Sequence, residues 1–189
     1  MVYLSRIYTR VGDQGKTALG SGDMVPKNHP RVTAMGSVDE LNSLLGVLAS
    51  QLPPGPDHEF LREVQNNLFD LGADLCLPID TAKAGESLRI GKALWEKLEK
   101  KIDQWNEKLQ PLTSFILPGG SQVSCWTHLA RAVCRRAERD LVTLASQEAI
   151  NPDSLIFLNR LSDLFFVMAR IYNNQGRNDI LWVPGKTSS

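Results

Sequence analysis

The sequence predicts an all-α fold, an antiparallel bundle of five helices, from three observations. Five segments repeat apolar residues at alternating spacings of three and four. Gly/Pro-rich or polar breakers separate them, and the shorter links turn the chain straight back on itself. No segment alternates cleanly with period two, so nothing competes as a strand. At 189 residues the chain suits one domain with a sizeable core. The expected parts are an arm over 1–30, the helical bundle over 36–175 and a tail over 176–189, both ends irregular.

The first helix is expected to open at Ser37, with Glu40 three residues on as a capping box. Leu41, Leu44, Leu45 and Leu48 follow at helical spacing, and "PPGP" at 53–56 ends it. The second begins near Asp57 and carries Leu61, Val64, Leu68, Leu71 and Leu75. A polar connection runs from Pro78 to Gly91. The third, with Trp95, Leu98, Ile102, Trp105 and Leu109, has Lys/Glu-rich faces and reads as an outer helix. The patch "PLTSFILPGGSQ" is too short for a helix and too apolar for an ordinary loop. The fourth helix spans about Ser121 to Ser146, with Trp126, Leu129, Ala130, Val133, Ala137, Leu141 and Leu144 inward. The fifth has Asn151 as N-cap and Pro152 at its first position, and runs through Leu155, Leu158, Leu161, Phe165, Met168 and Tyr172 to Gly176.

Lys+Arg and Asp+Glu are equal at 21 each, so no bulk field draws the chain to nucleic acid or to a membrane. Any anion site must come from local clustering. Cys76, Cys125 and Cys134 have no zinc or redox spacing and fit reduced thiols. Nothing approaches eighteen consecutive apolar residues, and the expectation is a cytoplasmic protein. His29, His58 and His128 belong to no Glu-x-x-His pair, which removes the di-iron reading that a ferritin-like bundle invites.

"TRVGDQGKT" at 9–17 resembles a phosphate loop but is not a P-loop. The leading glycine would fall at Arg10, and breakers rather than a helix follow. Its residue types still suit an anion: Gly12 and Gly15 allow close backbone approach, and Thr9, Arg10, Lys16 and Thr17 add donors. An ordinary solvated turn is the alternative. In "RAVCRRAERDL", Arg131, Arg135 and Glu138 share one side of the fourth helix, with Arg136 and Arg139 flanking the apolar stripe. Two stacked guanidiniums beside one carboxylate leave donors for a polyanion. A solvated basic face is the competing account. On the fifth helix Asn159, Asp163 and Arg170 form a polar strip. Asp163 and Arg170 read as a mutual pair, and Asn159 reads as the ligand candidate. Asp39 either sits in a first helical turn for the helix dipole or pairs with an arginine of another helix or subunit.

Taken in order, "YTRVGDQGKTALGSG", Lys27, "GSVDELNSLLG", "FILPGG", "RAVCRRAER", "LNRLSDLFFVMAR" and "DILW" resemble the ATP:cob(I)alamin adenosyltransferases of the propanediol-utilisation type, over residues 7 to about 183. The resemblance implies a homotrimeric five-helix bundle with active sites between subunits, and transfer of the 5′-deoxyadenosyl group from ATP to cob(I)alamin with Mg²⁺. It assigns Thr9, Arg10, Val11, Gly12, Thr17, Ala18 and Lys27 to the triphosphate. Arg135, Arg136, Ala137, Glu138, Arg139 and Asn159 go to the nucleotide. Asp39 and Arg131 form a salt bridge across the subunit boundary, and Phe115 packs under the corrin, excluding the lower axial base. Arg135, Glu138 and Phe115 become the catalytic candidates, and a flavoprotein reductase a candidate partner. A helical carrier that binds both ligands without turnover shares every one of these anion-site residues.

Overall fold

A computed structural model describes residues 7, 8, 10–81 and 88–186. Among them five α-helices, α1 (Pro30–Ala49), α2 (Pro56–Cys76), α3 (Lys92–Asn106), α4 (Gln122–Ala145) and α5 (Pro152–Ile171), pack around one apolar core. Helix α1 lies between α2 and α4, and α5 between α4 and α3. The pairings 31 with 148, 37 with 140 and 40 with 136 make α4 antiparallel to α1. Trp95 with Asp153 and Glu99 with Arg160 align α3 parallel to α5, as helices two apart in an up-and-down order must be. Phe60 against Trp105, and Lys97 and Lys101 on Glu63 and Asp57, bring α2 and α3 together.

The stripe expected on α2 is buried, as are Leu158, Leu161, Phe165 and Met168 of α5 and Leu41, Leu45 and Leu48 of α1, while Leu155 and Tyr172 of the α5 stripe are partly buried. Helix α3 buries only Leu98 and Trp105 within its length, as an outer helix should. One inward assignment is corrected: Leu129 is 46% exposed. On α4 the buried stripe runs through Ser124, Thr127, Ala130, Cys134, Ala137, Leu141 and Leu144, and Leu129 falls one position off it.

The start of α1 is a second correction. It opens at Pro30, seven residues before Ser37. Pro30 presets the first turn, and the His29 ring caps it, Nδ1 accepting from Arg31 N at 3.2 Å. Ser37 is interior and buried, and its hydroxyl donates to Asp140. The capping box "SVDE" is a coincidence of spacing. Asp39 consequently lies in the third turn, exposed, where the dipole explanation no longer applies.

The arm is less irregular than its breakers suggest. A 3₁₀ turn over Val11–Gln14 leads into a hairpin, β1 (Lys16–Ala18) against β2 (Met24–Pro26), with Thr17 opposite Val25. Three-residue strands are too short for an alternation to register in the sequence. Leu19 N and Gly22 N close the turn, and Gly20 N donates to Cys76 O at 2.9 Å, fixing the arm to the end of α2.

That end of the molecule is held by two buried charges. Arg31, 2% exposed, donates from Nε to Glu148 (2.9 Å) and from Nη1 to Leu75 O (2.8 Å). Asp74, also 2% exposed, accepts from Arg89 Nη1 (2.6 Å), Ile90 N (2.8 Å) and Asn151 Nδ2 (2.7 Å). One carboxylate thus ties α2, the segment entering α3, and the cap of α5. Asp74→Ala removes the buried anion from Arg89 and leaves Ile90 N without its acceptor, while Arg89 Nη1 keeps Leu77 O and Asn151 Nδ2 keeps Ile90 O. Loss of a buried pair partner costs about 3–5 kcal/mol, so the unfolding free energy should fall by that amount, read as a lower urea midpoint at an unchanged m-value.

Candidate functional site

The chemistry-bearing residues lie in three groups. The first is the outward face of α4. Its buried stripe is largely of small residues, which lets α1 and α5 approach closely and fixes the rotation of the helix. Arg131 is half-buried, Arg135 and Arg139 are exposed, and Glu138 sits between the two latter turns. Among the described residues no carboxylate pairs with Arg135 or Arg139; Arg139 Nη1 donates only to Arg135 O, at 3.2 Å. Burial, and then the Arg135 charge, press the Arg131 guanidinium pKa downward. Its Nε is buried without an acceptor.

Two assigned members of this stretch stand apart. Arg136 is paired with Glu40 of α1, and this contact lowers the Glu40 carboxyl pKa. Ala137 is wholly buried, so its side chain meets the core rather than a ligand.

Helix α5 brings Asn159 alongside. Its Nδ2 donates to Glu138 Oε1 at 3.0 Å, and its Oδ1 accepts from Arg160 Nη1 at 2.7 Å. Asp163 is exposed one turn on. Burial raises its carboxyl pKa; the Arg160 charge opposes that, and Glu138 adds to it. The expected pairing of Asp163 with Arg170 is overturned. Arg170 is buried and donates to Asp179 (2.8 Å) and to Gln110 O (2.8 Å), because it lies at the far end of α5 where the tail folds back.

The second group is the arm. Arg10, with φ 63°, enters the 3₁₀ turn, and Gly12 meets Lys27 there. A Cβ on Gly12 would stand 3.0 Å from Lys27 Nζ, so glycine is what lets the ammonium lie against the turn. Lys27 N donates to Gly15 O at 2.8 Å. Val11 and Ala18 are exposed and Thr17 is half-buried; Thr9 lies outside the described residues. No hydrogen bond or ion pair among the described residues joins this arm to the α4 arginines of its own chain. Asp39 and Arg131 likewise form no pair within the chain.

The third group is the "FILPGG" loop, and here the tail supplies what sequence reading did not. Ile116 and Leu181 form an antiparallel bridge, flanked by Trp182 N to Phe115 O (2.7 Å) and Leu117 N to Ile180 O (2.8 Å). Phe115 is 79% exposed and its ring centre lies 6.3 Å from that of Trp182. Beside the loop a cavity of about 270 Å³ is lined by Pro118, Gly119, Cys125, His128, Leu129 and Arg131. Burial, with Arg131 adding, lowers the His128 pKa and keeps its imidazole neutral. Trp182 ends the matched segment "DILW", but nothing in the sequence placed it against Phe115, and Leu129 and His128 carried no signal for this place beyond lying just before "RAVCRRAER".

A family model described as cobalamin adenosyltransferase matches residues 7–172. A cobalamin adenosyltransferase of Cupriavidus metallidurans is 44% identical over 182 residues, 95% of each chain. The corrinoid adenosyltransferase of Mycobacterium tuberculosis is 43% identical over 187 residues, 97% of this chain and 96% of that one. The solved structure of a variant PduO-type ATP:corrinoid adenosyltransferase from Lactobacillus reuteri, complexed with cobalamin and ATP, superposes with a TM-score of 0.89 at 40% identity, covering 95% of this chain and 97% of that one.

The loop that presents Phe115 turns on Gly120, at φ 104°, where a Cβ would stand 2.2 Å from Asn173 Oδ1. Asn173 is itself held by Asp179 (2.8 Å). Gly120→Ala therefore adds left-handed strain to a steric clash and should lower stability by about 2 kcal/mol or more. A thermal melt measures this, and an unchanged melting temperature would contradict the clasp.

Proposed function

This chain belongs to the cobalamin adenosyltransferase family, and from that premise we propose how its separated groups of residues combine. The reaction is transfer of the 5′-deoxyadenosyl group of ATP to the cobalt of cob(I)alamin, giving adenosylcobalamin and triphosphate. The protein assembles as a homotrimer. The arm of one protomer meets the α4 face of the next, and Asp39 of one pairs with Arg131 of the other. One observation carries this reading: the arm and the α4 face are both shaped for an anion, yet among the described residues no hydrogen bond or ion pair joins the arm to the arginines of its own chain. A neighbouring copy supplies the missing half.

Cobalt(I) brings its own electron pair, so the chain needs no basic or nucleophilic side chain. A cobalt–carbon bond forms to C5′ as the C5′–oxygen bond breaks, and triphosphate leaves with that bond's electrons. The work left to the protein is alignment and stabilisation of charge on the leaving group. Arg135 and Arg139, lacking carboxylate partners, contact the triphosphate. Lys27 and the backbone N–H groups around Gly12, with Arg10, Val11, Thr17, Ala18 and Thr9, hold it from the other side. Asn159 reaches the nucleotide from α5. Arg136 stays a brace on Glu40 unless that pair opens.

Mg²⁺ fits this donor set, since it takes one or two protein carboxylates and keeps its waters, and this face has two, Glu138 and Asp163. When bound, Mg²⁺ neutralises part of the developing charge on phosphate oxygens. Glu138 would hold a metal-bound water and orient Arg135.

Phe115 stays exposed because its partner is the corrin. Packed beneath the ring, it excludes the lower axial base and favours the low-coordinate cobalt that is easier to reduce. Cob(II)alamin would be delivered and reduced by a flavoprotein reductase in the cytoplasm.

The test is direct. ATP with chemically reduced cobalamin should give the adenosylcobalamin absorbance spectrum; binding of both without conversion would make the protein a carrier. Arg135→Ala should lower kcat/KM at least tenfold with the trimer intact, since one charged transition-state contact is worth about 2–4 kcal/mol; wild-type kinetics would remove Arg135 from the site. Phe115→Ala should lose more activity with cob(II)alamin and a reductase than with preformed cob(I)alamin, and equal losses would refute the axial role.

A further inference from the structure

Asn159 stands in a chain of hydrogen bonds that crosses three helices. Arg160 of α5 donates from Nε to Glu99 Oε1 of α3 (2.6 Å) and from Nη1 to Asn159 Oδ1 (2.7 Å). Asn159 Nδ2 then donates to Glu138 Oε1 of α4 (3.0 Å). A guanidinium offers only donors and an ionised carboxylate only acceptors. The amide between them is therefore oriented by chemistry: oxygen towards Arg160, nitrogen towards Glu138. Turned over, it would set NH₂ against guanidinium and oxygen against carboxylate. The two ends of an asparagine are otherwise nearly alike in shape. With one hydrogen of Nδ2 taken by Glu138, the other is what Asn159 has left to give.

We propose that Arg160, braced by Glu99, is a positioning residue for adenosyl transfer: it holds Asn159 as a hydrogen-bond donor to an acceptor atom of the nucleotide. This rests on the reading that Asn159 reaches ATP. The Arg160 and Glu99 side chains are 37% and 39% exposed, so their pairing contributes little to stability. Its effect is geometric: Glu99 takes Nε, which aims Nη1 at Asn159. Glu138 imposes the same orientation from the opposite side, but the proposed function asks Glu138 also to orient Arg135 and to hold a metal-bound water. Arg160 is the lock that remains when those claims are made. Asp163 is the other carboxylate in the field of Arg160. A lysine at position 160 preserves the charge facing Asp163 while losing the fork, which separates the two effects.

The experiment measures KM for ATP with saturating chemically reduced cobalamin, and ATP affinity by calorimetry, for wild type, Arg160→Met, Arg160→Lys, Asn159→Ala and the Arg160→Met/Asn159→Ala double variant. Loss of one charge-assisted hydrogen bond corresponds to roughly a tenfold change. Arg160→Met and Asn159→Ala should each raise the ATP KM and Kd by about that factor and leave the cob(I)alamin KM unchanged. Arg160→Lys should fall between wild type and Arg160→Met. The double variant should be no worse than Asn159→Ala alone, since Arg160 acts only through that amide. Multiplying effects, or a wild-type ATP KM in Arg160→Met, would overturn the proposal. An unchanged KM in Asn159→Ala would remove the nucleotide contact on which it rests, and ATP binding without turnover in the wild type would defeat the adenosyltransferase reading separately. Should Arg160→Met not fold, Glu99→Leu leaves Arg160 in place and should raise the ATP KM severalfold; no change there would equally overturn the proposal.

Discussion

The small-residue stripe of α4 is the constraint on which the rest of the molecule depends. Ala130, Cys134 and Ala137 are wholly buried, with Ser124 and Thr127 above them, so α4 lies close against both α1 and α5. Close packing leaves little freedom to rotate. Once that stripe is inside, Arg131, Arg135 and Arg139 must face outward on the side away from α1, and Glu138 must face Asn159. Larger side chains on the stripe would push α1 and α5 away and turn the arginines relative to the amide they work beside. Burial also drives the Cys134 thiol pKa up, so this cysteine serves packing, not reactivity.

The two ends of the bundle solve a different problem, that of attaching irregular chain to a helical core. At one end Arg31 and Asp74 are buried charges whose hydrogen bonds collect the start of α1, the end of α2, the entry to α3 and the cap of α5. The arm hangs from that knot through Gly20 and Cys76. At the other end Arg170, Asp179 and Asn173 gather the tail and press it on the Phe115 loop. Each clasp fixes a chain segment by buried polar bonds while leaving side chains beside it exposed: Lys27 and Arg10 at one end, Phe115 and Trp182 at the other. Unpaired exposed guanidiniums and aromatic rings contribute little to the stability of a single chain.

Local hydrogen bonding then sets the chemistry of individual side chains. Arg136 looks equivalent to Arg135 in sequence, yet one hundred degrees of helix turn gives it to Glu40 and α1. Asn159 looks like a free ligand, yet it is engaged by Glu138 on one side and Arg160 on the other, which fixes the orientation of its amide. Asp39 shows the same dependence: moving the start of α1 by seven residues removes its helix-terminal role and leaves it an exposed carboxylate on a lateral face.

Much was legible from the residues alone. Periodicity of three and four located all five helices, because it reports the burial of one helix face, and the ordered motifs identified the family. Pro152 behind Asn151 marked the start of α5, whose cap is made by the neighbouring backbone and needs no distant partner. What escaped the sequence was settled across space. The cap of α1 is a histidine ring rather than a hydroxyl, and the arm hairpin is too short to show a period. Leu129, three residues after Trp126, reads as inward in the sequence but turns outward because the buried stripe runs one position away from it. Arg170 chooses Asp179 over Asp163 because the tail folds back onto α5. Composition and period determine which residues a helix buries; only the packed chain decides which polar group meets which, because those partners are brought together by contacts that no spacing along the sequence encodes.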